Sequence, residues 1–349
     1  MPTPARLLAK QRPTAFATQS SSANADRPDV RKLATITGQS AAVLAGIALS
    51  FAPPAIADDA RPKSAAVERQ QYTTQAPIVM LKDLDSGEIL YTRGADKRFA
   101  PASMAKVMTA YVVLDLIKKG ELTRDTHFTV DVATWKKWSG PKGGSTMFLR
   151  PGEKVSVDDL LKGLITVSGN DAAAALAVGI DGSETIFVKR MNDVAARLGM
   201  KSSNFGTPNG WPDGGATKVS AADLIMLADR LIRDHPGGYA RYFSLSKLQH
   251  GTSPDGKPII QPNRNPILGR FIGADGLKTG HTSEAGYCFL GSAKRDGRRL
   301  IMVVAGLPSE KARREEAERL MSWGFGLSMA ANDSRPGKKA ASGGGRAAP

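Results

Sequence analysis

The sequence predicts an α+β fold, an antiparallel sheet flanked by helices with a helical lobe inserted between the first and last strands. Two β-hairpin patterns, one near each end of the globular region, predict the sheet. Five helical patterns between them predict the lobe, and a cleft is expected where sheet and lobe meet. With 349 residues, 41% hydrophobic and 23% charged, the chain has enough apolar material for one large or two modest cores.

The elements follow in order. Residues 33–57 carry no charge, and the apolar stretch 41–52 follows Arg31 and Lys32. That stretch is too short to span a bilayer. Ala55 and Ala57, ahead of Asp58, give the small-residue pattern of a secretory cleavage site. Residues 1–57 are therefore expected to be an export signal with a basic extension, and 58–76 a linker. Residues 77–84 and Ile89–Arg93 flank the turn sequence Asp85-Ser86-Gly87-Glu88 and predict the first hairpin. Helical spacing is expected over 102–117, Val157–Thr166, 171–178, Glu184–Leu198 and Ala221–Asp234. The second hairpin pairs 286–293 with 299–306 through a connection containing Asp296-Gly297, a strong turn signal. A closing helix is expected over 310–323. Residues 327–349, rich in Gly, Ala, Lys and Arg, have little to bury and are expected to form a flexible basic tail.

Composition excludes several function classes. Cys288 is the only cysteine, so an intramolecular disulfide and a cysteine metal cluster are excluded, and its apolar neighbours predict a buried thiol. His127, His235, His250 and His281 are scattered with no zinc-type spacing, so no metal and no cofactor are expected. The net charge of +15 is spread along the chain rather than gathered into a stripe, which argues against nucleic acid as a partner. It suits instead an anionic polymer bearing carboxylates.

Three short motifs carry chemistry: Ser103-Met104-Ala105-Lys106, Ser168-Gly169-Asn170 and Lys278-Thr279-Gly280. Ser-x-x-Lys recurs at Ser139 and Ser244, and Ser-x-Asn recurs at Ser22 and Ser202, so context decides. Pro101 and the strong helix formers after Ala105 place Ser103 near a helix start. Residues three apart share a helix face, so Lys106 can take the Ser103 proton. Ser168-Gly169-Asn170 falls between two helical runs, where Asn170 or Asp171 can cap the second. Lys278-Thr279-Gly280 leads into the second hairpin and belongs on a strand, with Gly280 admitting a close substrate backbone. A lysine base needs a depressed pKa, which burial and a second cation supply, and Lys278 is that cation. Ser168 can relay a proton to the leaving amine, Asn170 can orient Lys106 and the substrate amide, and the backbone N–H groups of Ser103 and His281 can form an oxyanion hole. The chemistry is acyl transfer through a serine ester.

Over roughly residues 70–326 the chain resembles the low-molecular-weight penicillin-binding proteins, the serine D-alanyl-D-alanine carboxypeptidases. Beyond the three motifs the likeness rests on the runs 147–153, 164–175, 207–210, 263–265, 275–282 and 285–287, and on spacings of 65 residues from Ser103 to Ser168 and 110 from Ser168 to Lys278. The resemblance implies a serine β-lactamase/penicillin-binding transpeptidase-like fold, with 77–326 as the catalytic domain. It implies removal of the terminal D-alanine from peptidoglycan stem peptides, with β-lactam antibiotics as covalent inhibitors. Thr279 and an arginine would hold the terminal carboxylate, and Arg264 and Arg313 are the matching positions. The glycine-rich loop 139–146 matches a mobile loop beside the family's cleft. Many relatives continue into a second domain and a membrane helix, whereas 24 residues follow Phe325 here, so membrane association stays open. So does the choice between carboxypeptidase and cross-link-cleaving D,D-endopeptidase. A β-lactamase would need a water-activating carboxylate, and no glutamate lies between Glu184 and Glu284. A scaffold that binds the wall without catalysis would not acylate.

Overall fold

A computed structural model describes residues 71–140 and 143–327, which fall within one compact unit, 66–349. The expected export signal, most of the linker and nearly all of the basic tail lie outside the described residues. No helix among the described residues is long and apolar enough to cross a membrane.

The chain opens with the hairpin β1 (Ile78–Asp83) and β2 (Ile89–Arg93), then a 3-10 turn, Ala102–Ala105, that runs into α1 (Lys106–Lys118). The lobe follows as β3 (His127–Thr129), α2 (Val132–Trp138), β4 (Lys154–Ser156), α3 (Val157–Thr166), α4 (Asn170–Asp181), α5 (Glu184–Leu198), α6 (Ala221–Asp234) and α7 (Pro236–Tyr242). A small hairpin of β5 (Lys247–Thr252) and β6 (Pro258–Pro262) precedes β7 (Ala274–Thr282), β8 (Gly286–Arg295), β9 (Arg298–Leu307) and α8 (Glu310–Phe325). The main sheet is antiparallel with order β2-β1-β9-β8-β7, so β7 is an edge strand facing the lobe.

Strand alternation explains the layers. On β9, Leu300, Met302 and Val304 pack with Ala317, Leu320 and Met321 of α8, while Ile301, Val303 and Ala305 join the lobe's core on the other face. Both faces of the central strand are therefore apolar, unlike a sheet with one wet face. α1 is buried nearly all round, with Val107, Met108, Val112 and Val113 almost fully covered. A helix apolar on every side belongs inside, and each of its larger side chains contributes roughly 1.5–3 kcal/mol by leaving water. Four helices start on a serine that accepts a backbone N–H from three residues on: Ser156, Ser183, Ser220 and Ser309. Each such cap stabilises its helix by about 1 kcal/mol.

The expected α+β architecture is present, with refinements. The single helix expected over 102–117 is a 3-10 turn followed by α1. The turn's first residue, Ala102, takes a left-handed φ of 48°. The second helix of the Ser-x-Asn segment begins on Gly169, with no side-chain cap. Neither Asn170 nor Asp171 is the N-cap, because both side chains are engaged elsewhere. Cys288 is a buried free thiol, pushed up to about 11 chiefly by burial.

Candidate active site

Two glycines fix the serine. A Cβ on Gly280 of β7 would lie 2.4 Å from the Pro101 carbonyl oxygen, and one on Gly210 would lie 1.9 Å from that of Ala102. Only bare backbone fits at both places. The two approaches clasp Pro101–Ala102 and hold the left-handed Ala102, a conformation that costs an L-residue about 1–2 kcal/mol. Ser103 follows directly, at a cleft of about 180 Å³ lined by Ser103, Ser145, Ser168, Arg264, Thr279, Gly280, His281, Glu310 and Arg313.

Lys106 is fully buried beneath the serine. Its Nζ lies 3.0 Å from Ser103 Oγ, 2.8 Å from Asn170 Oδ1 and 2.9 Å from the Asn209 carbonyl oxygen. The last two atoms can only accept. A neutral amine therefore gives its two N–H groups to them and turns its lone pair to the Ser103 hydroxyl. Burial, then the nearby Lys278 and Arg264, hold Lys106 well below the usual lysine range, while Asp171 opposes them. Thr109 Oγ1 donates to the Pro208 carbonyl at 2.5 Å, anchoring the loop that presents Asn209.

Lys278 projects from β7 and is also buried, donating to the Thr279 carbonyl at 3.2 Å. Burial pushes it down to about 7, helped by the Arg264 and Arg313 guanidiniums. Ser168 sits between α3 and α4 with φ 64°, and its buried hydroxyl has no hydrogen-bond partner among the described residues. An orphaned buried hydroxyl is expected to find its partner in a ligand or water. Asn170 completes the set by donating Nδ2–H to the Gly143 carbonyl at 2.8 Å, which fixes its Oδ1 toward Lys106.

The arginines come from two further segments. Arg264, just after β6, donates to Ser145 Oγ at 2.5 Å. Arg313, on α8, is 5% exposed and lies 5.6 Å from the Tyr287 ring centre. Its Nε has no hydrogen-bond partner among the described residues, and Glu310 Oε1 is 3.8 Å from its Nη2. Burial lowers its pKa. His281 stacks on Tyr287 with ring centres 3.9 Å apart.

The structure thus brings all ten singled-out residues to one place: Ser103, Lys106, Ser168, Asn170, Lys278, Thr279, Gly280, His281, Arg264 and Arg313. Two contributors are not among the predicted site residues, though the sequence offers Asp171 as a candidate helix cap. Asn209 lies in a run quoted only for family likeness, and its carbonyl carries no sequence signal. Asp171 is 3% exposed and accepts from the backbone N–H groups of Met147, Leu149 and Ala172 at 3.0, 3.1 and 2.9 Å, and from the Thr146 hydroxyl. It ties the loop beside the cleft to the start of α4. Its acidic side chain next to Asn170 is the one signal that could have pointed to it.

A sheet-edge lysine set against a Ser-x-x-Lys turn and a Ser-x-Asn loop defines a serine acyl-transfer enzyme of the penicillin-recognising class. The chain belongs to the D-alanyl-D-alanine carboxypeptidase family of serine peptidases, whose model matches residues 64–309. It is 34% identical to the D-alanyl-D-alanine carboxypeptidase DacF of Bacillus subtilis over 283 residues, covering 79% of this chain and 68% of that protein. Against the D-alanyl-D-alanine carboxypeptidase DacA of Haemophilus influenzae it is 39% identical over 261 residues, covering 73% of this chain and 62% of the relative. Penicillin-binding protein D2 of Listeria monocytogenes, in its ampicillin-bound form, superposes with a TM-score of 0.63 at 32% identity, covering 73% of this chain and 99% of that one. The chain therefore spans about two thirds of the length of the Bacillus and Haemophilus carboxypeptidases and nearly all of the Listeria chain.

Proposed function

We propose that this protein is a D-alanyl-D-alanine carboxypeptidase that removes the terminal D-alanine of peptidoglycan stem pentapeptides through a Ser103 acyl-enzyme. The observation that carries the reading is the buried Lys106 amine, whose lone pair its two acceptor partners leave to Ser103. Ser103 Oγ attacks the carbonyl of the penultimate D-alanine as its proton passes to Lys106 Nζ. The backbone N–H groups of Ser103 and His281 take the oxyanion. The C–N bond then breaks, Ser168 relays a proton to the departing amine, and D-alanine leaves as the ester remains on Ser103. Water attacks that ester and Lys106 accepts its proton, which returns to Oγ as the peptide acid departs.

Thr279 and Arg313 hold the terminal carboxylate. The Arg313 Nε, without a hydrogen-bond partner among the described residues, and the cationic cleft support that assignment. Arg264 holds Ser145 and adds positive potential at both lysines. A β-lactam presents a strained amide to the same serine and stays attached as an ester, so β-lactams are covalent inhibitors. Residues 77–326 act as the catalytic domain, and 1–57 act as the export signal that delivers it to the wall compartment where peptidoglycan lies.

The test is release of D-alanine from a pentapeptide ending in D-Ala-D-Ala, with Ser103→Ala in parallel. Release that the substitution abolishes supports the reading. Release that survives it, or its absence in a protein that penicillin acylates, overturns the carboxypeptidase assignment.

A further inference from the structure

Among the described residues lining the cleft, Glu310 is the only acid, set against Arg264 and Arg313 with Lys278 behind them. It is the first residue of α8, beside the Ser309 cap, where the helix N-terminus favours a negative charge. Its side chain is 77% exposed, and its Oε1 stands 3.8 Å from Arg313 Nη2, beyond hydrogen-bond range. Arg313 is fixed by burial and by the Tyr287 ring, so the exposed glutamate is the partner free to move.

We propose that Glu310 selects the charge of the leaving residue, favouring substrates whose last residue carries an ammonium and disfavouring those whose last residue carries a second carboxylate. The proposal rests on the carboxypeptidase reading, in which the terminal carboxylate docks on Arg313. A carboxylate seated there brings the side chain of the same residue within a few ångströms of Glu310. D-Alanine offers only a methyl group at that point, a diamino acid offers an ammonium, and a D-glutamate offers a carboxylate that Glu310 repels. The selection acts at an exposed group, so it is moderate and sensitive to salt.

Three stem peptides ending in D-Ala-D-Ala, D-Ala-D-Lys and D-Ala-D-Glu test this, with kcat/KM measured for each. Every protein is normalised to its own active fraction, titrated with a fluorescent penicillin. The wild type is expected to prefer D-Lys over D-Glu by roughly five- to tenfold at low ionic strength, narrowing as salt is raised. Glu310→Gln should lower that ratio by at least about threefold, and Glu310→Lys should lower it further. A wild-type ratio near one, a ratio indifferent to salt, or a ratio unchanged in both variants overturns the proposal while leaving the carboxypeptidase reading intact. Failure of the wild type to release any of the three residues overturns that reading and this proposal with it.

Discussion

Lys106 Nζ stands 3.0 Å from Ser103 Oγ across a single 3-10 turn, and both of its other partners are obligate acceptors. Only the neutral amine can take the serine proton, so acylation should climb with pH as Lys106 deprotonates. A nearby cation disfavours the protonated form, and Lys278 is the foremost such cation. Replacing Lys278 with Met should therefore raise the Lys106 pKa and move the ascending limb to higher pH. Second-order acylation by a fluorescent penicillin between pH 5 and 10 measures it. A limb that stays in place or moves to lower pH would contradict the pairing.

The same substitution should stabilise the fold. Lys278 titrates at about 7 when folded, against an ordinary 10.5. Between those values the unfolded chain holds a proton that the folded site does not, so folding stability rises with pH across that window and is lowest below it. Lys278→Met removes that penalty, and its gain should be largest below about pH 7 and shrink toward pH 10. A gain on the order of 1–3 kcal/mol in urea unfolding at pH 6 is expected. Equal stabilities at pH 6 would show that the buried cation is compensated by some other contact.

Ser168 separates stability from function. Its hydroxyl makes no hydrogen bond among the described residues, so Ser168→Ala forfeits none of those bonds, and unfolding should change by less than about 0.5 kcal/mol. If the hydroxyl relays the leaving-group proton, D-alanine release should fall by roughly 10²–10⁴-fold. A large loss of stability with activity kept would reverse the assignment.

Asp171 predicts the opposite pattern on two readouts. Asn at this position can no longer accept all three backbone N–H groups and the Thr146 hydroxyl, which should cost about 1–3 kcal/mol. The lost negative charge had favoured the Lys106 ammonium, so the ascending limb should move to lower pH. A purely structural role would lower the melting temperature and leave the limb where it was.

Much of this was legible in the sequence for local reasons. Asp296-Gly297 sets the β8–β9 turn, with both residues at positive φ and Arg295 paired to Arg298. The helices Val157–Thr166, Glu184–Leu198 and Ala221–Asp234 have the bounds their apolar spacing predicts. What escaped depends on distant chain. The 3-10 turn at Ala102–Ala105 is set by Gly210 and Gly280, far along the sequence. α7 has only seven residues, two of them glycines, and holds by packing Tyr239 and Tyr242 rather than by propensity. β5 breaks its alternation at Gly251, whose φ is 72°, and β3 and β4 are too short to show any period. The three motifs were readable one by one. The clasp that holds Ser103, and the loop that Asp171 ties to α4, exist only once the chain has folded.

The central claim is a covalent ester on Ser103, and the most direct measurement is the site of acylation. The protein is treated with benzylpenicillin, quenched in acid and digested, and the modified peptide is sequenced by mass spectrometry. The account predicts one adduct per chain on Ser103, absent in Ser103→Ala and still formed in Ser103→Cys, though more slowly. An adduct on Ser139, Ser168 or Ser244, or acylation undiminished in Ser103→Ala, would contradict it.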